Sequence, residues 1–371
     1  MLFAQYFATL PDPRRRTPRH PWLSILFIVL AAQLCGAEGW DAMVAVARAK
    51  QGWLQSFLEL PKGVPSADTL RRVLAALEPQ AFAACFRSWV GALAGALRGE
   101  VVAVDGKAMK GAYEAASRMT PLYLVHGWAT EQRLLLGQRA VGGAPGESPG
   151  AEAVLKLLGL EGAVVTGDAN LCTNRVAQTV RAQGGDYVLA LKGNRGPVYR
   201  HVHQFWSAAT AQDFARVAVR RLRRVTTGHG RTEERCSFAV AATALPPLVQ
   251  RWPHVASVLM VERVRHTAEQ TQHERHYYLS SLPPKVRVLH HAIRQHWRVE
   301  NDWHWCLDVS FGEDHCRVRH LRAAENLALV RRMAWQLLRR QPHETVGLPI
   351  RRLRAGWDNA YLEQVLATGL T

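Results

Sequence analysis

The stretch that most constrains the fold lies between residues 101 and 193, where short apolar runs alternate with runs of helical spacing. Three runs typical of strands come first, and each later strand is preceded by a helix. The predicted strands are 101–106, 121–130, 133–141, 163–169 and 186–193, and the predicted helices are 151–160 and 173–183. Three strands followed by helix, strand, helix and strand predict an α/β fold built on a mixed sheet.

The residues before this stretch are expected to be helical. Apolar residues recur there at intervals close to 3.6, and Ser66 is the expected N-cap of the third helix. The predicted helices are 22–35, 40–60 and 66–77. The last two are joined by the turn PKGVP, and basic and polar residues (Thr69, Arg71 and Arg72) begin the third. A DNA-binding helix-turn-helix and an ordinary helical hairpin both fit this pattern.

Beyond residue 200 the chain is strand-like up to residue 285 and then helical again. The helices expected after 285 are 287–308, 322–340 and 358–368. We therefore divide the chain into an N-terminal helical domain, a catalytic core in two parts, a β-rich insertion between them and a helical tail. The predicted bounds are 1–98, 99–200 with 286–345, 201–285 and 346–371.

The net charge of +17 indicates a polyanionic partner. Neutralising phosphates releases condensed counterions, so a basic excess of this size favours nucleic acid. Arginines are dense at 216–235. No pair of cysteines has the C-x-x-C spacing, so neither a zinc ribbon nor a disulfide framework is predicted, and a cytoplasmic protein is expected. The apolar run 21–37 is shorter than a membrane span and is interpreted as a buried helix.

Two aspartates, Asp105 and Asp168, come at the ends of predicted strands. If the two strands are neighbours, both carboxylates point into one crevice at the sheet edge, where they can hold a metal ion. For each aspartate alone, capping of the next turn is an alternative interpretation.

A third carboxylate is expected from the sequence HWRVENDWHW at 296–305. On a helix, Glu300, His304 and Asp308 share one face, while Trp303 and Trp305 point elsewhere and are expected to pack the helix in place. Three carboxylates around one point could hold two Mg²⁺ ions for displacement at a phosphodiester. The helix face leaves the third acid open between Glu300 and its rivals Asp308, Glu313 and Asp314.

Several blocks, taken in order, resemble the DDE insertion-sequence transposases of the H-repeat-associated (ISAs-type) group. The blocks are AVDGKAMKG, VVTGDANLC, DYVLALKGNRG, YYLSSL and AIRQHWRVENDWHWCLDVSFGEDHCRVR, together with the N-terminal LPDPRRRTPRHPWLSILFIVLAAQLCGAEGW. The resemblance implies an RNase H-like, retroviral-integrase-like core interrupted by the β-rich insertion. It implies Asp105, Asp168 and Glu300 as the catalytic, metal-binding triad, with two Mg²⁺ ions for which Mn²⁺ is expected to substitute.

The sequence departs from the family at two places. The family's KSNE-like stretch before the helix at 151 is replaced by GESPGA, and we expect its Lys and Glu to have no counterpart here. In related transposases an Arg stands four residues before the Glu, and here that position is His296.

The function implied is cut-and-paste DNA transposition: binding of the element's terminal inverted repeats, phosphodiester cleavage and strand transfer to target DNA. The expected partners are double-stranded DNA and a second copy of the chain in the paired-end complex, with no membrane and with nucleoid association when bound. A transposase-derived DNA-binding protein and another RNase H-fold nuclease are the alternatives. The residues expected to contact DNA are Thr69, Arg71, Arg72, Lys107, Lys192, Arg220, Arg223, Arg231, Arg235, His296, Trp297 and Arg298.

Overall fold

The computed structural model describes residues 2–14, 19–112, 121–142, 146–228, 231–267, 270–342 and 345–370. The N-terminal region is helical as predicted. Its helices are α1 (Leu2–Phe7), α2 (Trp22–Leu34), α3 (Trp40–Ala49), α4 (Gln51–Gln55), α5 (Ala67–Ala76) and α6 (Pro79–Leu93). Ser66 caps α5 and accepts a hydrogen bond from the Thr69 amide, as expected. The prediction of a single helix at 40–60 is wrong, because the helix is interrupted at Lys50 and ends at Gln55.

Helix α2 is apolar around its whole circumference and is buried from Ser24 to Leu34. A helix without a polar face belongs in a core rather than at a surface. It packs against α13 (Leu321–Arg339), which is itself buried on nearly all sides. Within the described residues no helix is long and apolar enough to cross a membrane.

The described strands form one nine-stranded sheet with the order β3-β2-β1-β4-β5-β9-β8-β7-β6. The first five are β1 (Val101–Met109), β2 (Leu122–Ala129), β3 (Leu134–Val141), β4 (Val164–Gly167) and β5 (Asp186–Leu191). Strands β1 to β3 are antiparallel, whereas β4 and β5 run parallel to β1. The parallel crossovers are made by α7 (Glu147–Leu155) and α8 (Asn174–Ala182). This is the RNase H-like mixed sheet that the resemblance implies.

The region 201–285 is rich in strands, as predicted. It contains most of α9 (Gly196–Ala211), then β6 (Arg220–Gly228), β7 (Arg231–Ala241), the short α10 (Pro247–Gln250), β8 (Ser257–His266) and β9 (Thr271–Ser280). Strand β9 pairs antiparallel with β5, so these four strands extend the sheet of the core rather than forming one of their own.

The C-terminal helices cover the sheet and close the core. They are α11 (Val286–His296), α12 (Trp305–Val309), α13, α14 (Leu348–Trp357) and α15 (Asn359–Leu370). The sequence did not predict α14, and the helix predicted at 287–308 is interrupted by a π-helical turn at Val299–His304. On α13, Asn326 donates to the carbonyls of Leu74 and Leu77. The N-terminal helices therefore share a core with the last helices of the chain, and the domain bounds remain a prediction.

Candidate active site

The register of the two central parallel strands brings Asp105 and Asp168 together. Val104 lies opposite Gly167, and the residue that follows each of them is an aspartate. Strand β4 ends at Gly167, whereas β1 continues to Met109. The prediction that β1 ends at Asp105 is therefore wrong. The crevice opens where β4 has ended and β1 has not.

Backbone amides hold both carboxylates. The Gly106 amide donates to Asp105 Oδ1 at 2.9 Å, and the Asn170 and Leu171 amides donate to Asp168 Oδ1 at 2.8 and 3.1 Å. The loop after β5 fixes the loop that follows Asp168, because Asn194 and Arg195 donate to the carbonyls of Ala169 and Asn170. The KGNR block therefore supports the second aspartate.

Three contacts fasten the last acidic segment over this sheet face. His296 Nδ1 shares a hydrogen bond of 3.0 Å with Thr166 Oγ1 on β4. His304 Nδ1 lies 3.8 Å from Asp105 Oδ2. Further along, Lys107 Nζ donates to both oxygens of Asp308 at 2.6 and 2.7 Å. The predicted sharing of one face by His304 and Asp308 is confirmed by these contacts.

Glu300 reaches the crevice from the π-helical turn. A π-turn inserts an extra residue into the helical ladder and recurs at functional sites, because it re-aims the side chains that follow. Glu300 is exposed, and it lines a cavity of about 180 Å³ with both aspartates. We call this cavity the acidic crevice; its other walls include Thr166, Lys192, His296 and Trp297.

The rival acids are occupied elsewhere. Asp308 is bound by Lys107, and Asp314 accepts from Lys110 Nζ at 2.8 Å. Glu313 is fully buried and forms an ion pair with the equally buried Arg332. Among the four candidates only Glu300 lines the acidic crevice.

The crevice disfavours an uncompensated negative charge. Burial raises the pKa of Asp105 to about 8, and the carboxylates of Asp168, Glu147 and Glu300 add to the rise, against the Gly106 amide, which lowers it. Burial also lowers the pKa of His296 to about 4 and that of His304 to about 3. Both imidazoles are therefore neutral at pH 7 and supply no positive charge to the carboxylates, so a cation from outside could balance them.

Residues 97–337, well over half of the chain, match the family model described as "Transposase DDE domain", and residues 4–90 match the model "DDE_Tnp_1-associated". The chain belongs to the DDE transposase family. It is 28% identical over 370 residues to "Putative transposase YncI" of Escherichia coli O157:H7, covering 98% of this chain and 94% of the relative. It is 27% identical over 369 residues to "H repeat-associated putative transposase YhhI" of E. coli K12, covering 98% and 97%.

A further relative of the transposase is the "Uncharacterized protein in dhlA 3'region" of Xanthobacter autotrophicus, 36% identical over 283 residues, or 74% of this chain and 93% of the relative. Among solved structures, a piggyBac transposase synaptic complex with hairpin DNA aligns with 98% of this chain and 77% of its own at a TM-score of 0.40 and 8% identity.

The chain has a fourth carboxylate near Asp105 and Asp168, which the sequence prediction missed. Glu147 is the first residue of α7, is 3% exposed and raises the pKa of Asp105. It belongs to the GESPGA stretch, for which the resemblance implied no counterpart of the family's glutamate. A glutamate in the first turn of a helix is common, and nothing local in the sequence shows that this turn faces β1.

Two histidines of the transposase were also not singled out as a pair. His304 Nε2 and His126 Nε2 share a hydrogen bond of 3.1 Å, and His126 lies opposite Asp105 on β2. Burial lowers the pKa of His126 well below its usual value. The two neutral rings fill the space behind Asp105.

Carboxylate oxygens are the hard ligands that Mg²⁺ and Mn²⁺ prefer. Burial and the neighbouring carboxylates raise the pKa of Asp105, so its ionised form is costly without a cation beside it. The chemical type of these ligand atoms therefore suits the divalent metal ions that the DDE family uses. Within the described part of the chain, however, no three His, Cys, Asp or Glu side chains are already grouped closely enough to hold a metal ion.

A larger cavity of about 410 Å³ adjoins the acidic crevice. We call it the arginine groove, because its walls include Arg231, Arg235, Arg263, Arg265 and Arg294. The two cavities share His276, Tyr278, Ile293, Trp297 and Glu300. The basic surface of β7 and β8 therefore leads to the carboxylates.

Some predicted DNA contacts lie on these cavities. Arg231 and Arg235 line the groove, where Arg235 is paired with Glu233. Trp297 lines both cavities, and Lys192 is exposed and lines the crevice with His296. Trp297 is 43% exposed at the end of α11, where it forms a wall between the two.

Other predicted DNA contacts lie elsewhere or are already paired. Arg220 and Arg223 are exposed on the edge strand β6, and Arg223 is bound by Glu234. On α5, both Arg71 and Arg72 pair with Asp68, and Thr69 bonds the capping Ser66. Arg298 donates to Asp302 at 2.9 Å. Lys107 is 7% exposed and held by Asp308, which favours a structural role over phosphate contact.

The two tryptophans after Glu300 behave differently. Trp303 is fully buried, with ring centroids 4.6 Å from Trp335 and 6.1 Å from Trp128. Trp305 is 57% exposed, so the prediction that it packs the helix in place is wrong. Residues two apart on a helix do not share a face, and here only Trp303 points into the core.

Proposed function

We propose that this chain is a DNA transposase that binds the terminal inverted repeats of its element, cleaves phosphodiesters at the ends and joins them to target DNA. The supporting observation is the continuity of the acidic crevice with the arginine groove through Trp297 and Glu300. A duplex bound by the arginines would present a phosphodiester to the three acids. Two ends must be held together for strand transfer, so we propose a homodimer in the paired-end complex.

In this proposal Asp105, Asp168 and Glu300 hold the divalent cations, Mg²⁺ or Mn²⁺. When bound, such cations activate a water or hydroxyl and stabilise the leaving oxygen. Lys192 offers an exposed ammonium in the crevice for a phosphate oxygen. His296 is neutral and anchors α11 to Thr166, so it fixes the position of Glu300 rather than supplying charge. Trp297 forms one wall of the crevice in which the phosphodiester would be cleaved.

The test is an end-cleavage assay on linear DNA carrying the inverted repeats that flank the gene. We expect Mg²⁺-dependent nicks at the repeat ends, joining of the freed 3′-OH to a target plasmid, and a complex of two protein copies by mass photometry. Binding without cleavage would instead identify a transposase-derived DNA-binding protein. Cleavage of RNA–DNA hybrids or junctions without strand transfer would identify another RNase H-fold nuclease.

Replacing Arg231 or Arg294 by Ala should weaken binding to any duplex by roughly 5-fold each and lower the salt slope of log K by about 1, because each loses one phosphate contact. Both arginines are exposed in the groove and form no ion pair with a described residue. Arg223→Ala is the matched comparison, since Glu234 already binds that guanidinium. Equal losses for Arg223→Ala and Arg231→Ala in fluorescence anisotropy would contradict the assigned groove.

A further inference from the structure

Glu147 is a buried carboxylate that the proposed triad does not use. Its Oε1 accepts from the Tyr123 hydroxyl at 3.0 Å, and its Oε2 accepts from Asn170 Nδ2 at 3.2 Å. Among the described residues no Lys, Arg or His forms an ion pair with it. Burying a carboxylate without a cation is costly, so its presence here calls for a compensating charge.

The partners of Glu147 connect it to both aspartates. Asn170 bonds Glu147 through its side chain and Asp168 through its backbone amide. The Gly106 amide donates to Asp105. Burial raises the pKa of Glu147, and hydrogen bonding from the same amide opposes that rise. Glu147 therefore lies behind the two aspartates. It contacts Gly106, which follows Asp105, and Asn170, which lies two residues after Asp168.

The close approach depends on a glycine. A Cβ atom on Gly106 would collide with Glu147 Oε1 and with the Tyr123 ring. Glycine at this position lets the carboxylate of α7 reach the backbone of β1, which a side chain would prevent. The DGK sequence after the first strand is thus coupled in space to the start of α7.

With Glu147 included, the charges of the carboxylates balance those of two divalent cations. Asp105, Asp168 and Glu300 carry three negative charges when ionised, and two divalent cations carry four positive ones. Glu147 adds the fourth negative charge. Carboxylates beside metal ligands orient the ligands and raise metal affinity.

We propose that Glu147 is a positioning residue of the cation site, which holds Asp105 and Asp168 in place through Gly106 and Asn170 and balances the charge of the second cation. This inference rests on the proposed function, because it presumes that the triad binds divalent cations.

The test is calorimetric titration of the full chain with Mn²⁺. We expect Glu147→Gln to weaken Mn²⁺ binding by about 10- to 100-fold, the range typical of outer-shell partners of metal ligands. Glu147→Asp keeps the charge and should regain part of the affinity. Tyr123→Phe removes one hydrogen bond but no charge, and should stay within about 3-fold of wild type. Without metal, Glu147→Gln should unfold no earlier than wild type, because it loses a buried charge.

Equal Mn²⁺ affinity for wild type and Glu147→Gln would overturn the inference and leave the proposed function intact. A wild-type chain that binds no Mn²⁺ would overturn both. If Glu147→Gln unfolds early without metal, Glu147→Asp decides: an aspartate variant that binds Mn²⁺ as weakly as Glu147→Gln would show that the glutamate only supports the fold.

Discussion

Replacing Glu300 by Gln, or Asp168 by Asn, is expected to lower cleavage at the inverted-repeat ends by about 10³-fold or more while leaving DNA binding within a few-fold of wild type. Each change removes one carboxylate from the acidic crevice and leaves every arginine of the groove in place. Loss of a metal-binding carboxylate forfeits several kcal/mol of transition-state stabilisation, and each 1.4 kcal/mol is a factor of ten in rate. Single-turnover cleavage and filter binding on the same DNA measure the two effects separately.

The matched control for Glu300→Gln is Asp302→Asn. Asp302 lies two residues away in the same π-helical turn, but it is held by Arg298 and does not line the crevice. We expect its cleavage rate to stay within about 3-fold of wild type, since a half-exposed ion pair contributes little. Full cleavage by Glu300→Gln, with a loss in Asp308→Asn, would show that the third acid is Asp308.

The closeness of Asp105 and Asp168 could be predicted from sequence because their positions follow from local pattern and a simple topological rule. Each comes directly after a buried apolar run, and parallel strands bring equivalent ends together. The β1–β4 pairing confirms that step. Glu300 could not be chosen from helix geometry alone, since an ideal helix places Asp308 on the same face. The π-turn and the capture of Asp308 by Lys107, which separate the two acids in the structure, depend on tertiary packing.

Three other features depend on contacts between distant residues and left no local signal. Strand β9 joins the core sheet because its partner β5 has an open edge, which the strand pattern of 201–285 does not reveal. Helix α14 was missed because exposed apolar residues such as Ile350 and Trp357 blur its amphipathic pattern. Glu147 approaches β1 at Gly106, where a Cβ atom would collide with its carboxylate. Such pairings are set by the whole fold, so a single sequence predicts the elements better than their neighbours.

Asp105→Asn is expected to make the metal-free protein more stable than wild type at pH 8, although it should abolish cleavage. The pKa of Asp105 is 3.8 as an ordinary carboxyl and about 8 in the fold. Its stabilising, protonated form is therefore fully present below about pH 4, and the benefit is lost as the pH rises to about 8 and beyond. At about 1.4 kcal/mol per pKa unit, the upper limit is about 6 kcal/mol, and we expect about 2–4 kcal/mol because water reaches the crevice.

Denaturant unfolding of the metal-free proteins at pH 4.5 and pH 8.5 measures this difference. Wild type should lose stability relative to Asp105→Asn as the pH rises. Mg²⁺ added at pH 8.5 should stabilise wild type strongly and the variant only weakly, because a bound cation takes the place of the proton on Asp105. Asp302→Asn, which removes a carboxylate outside the crevice, should follow wild type at both pH values. Parallel pH curves for wild type and Asp105→Asn would mean that the carboxylate is ionised without a cation. The repulsion among Asp105, Asp168, Glu147 and Glu300 would then be too weak to draw cations to the site. In that case the charge of Asp105 would not explain why Mg²⁺ stabilises the fold.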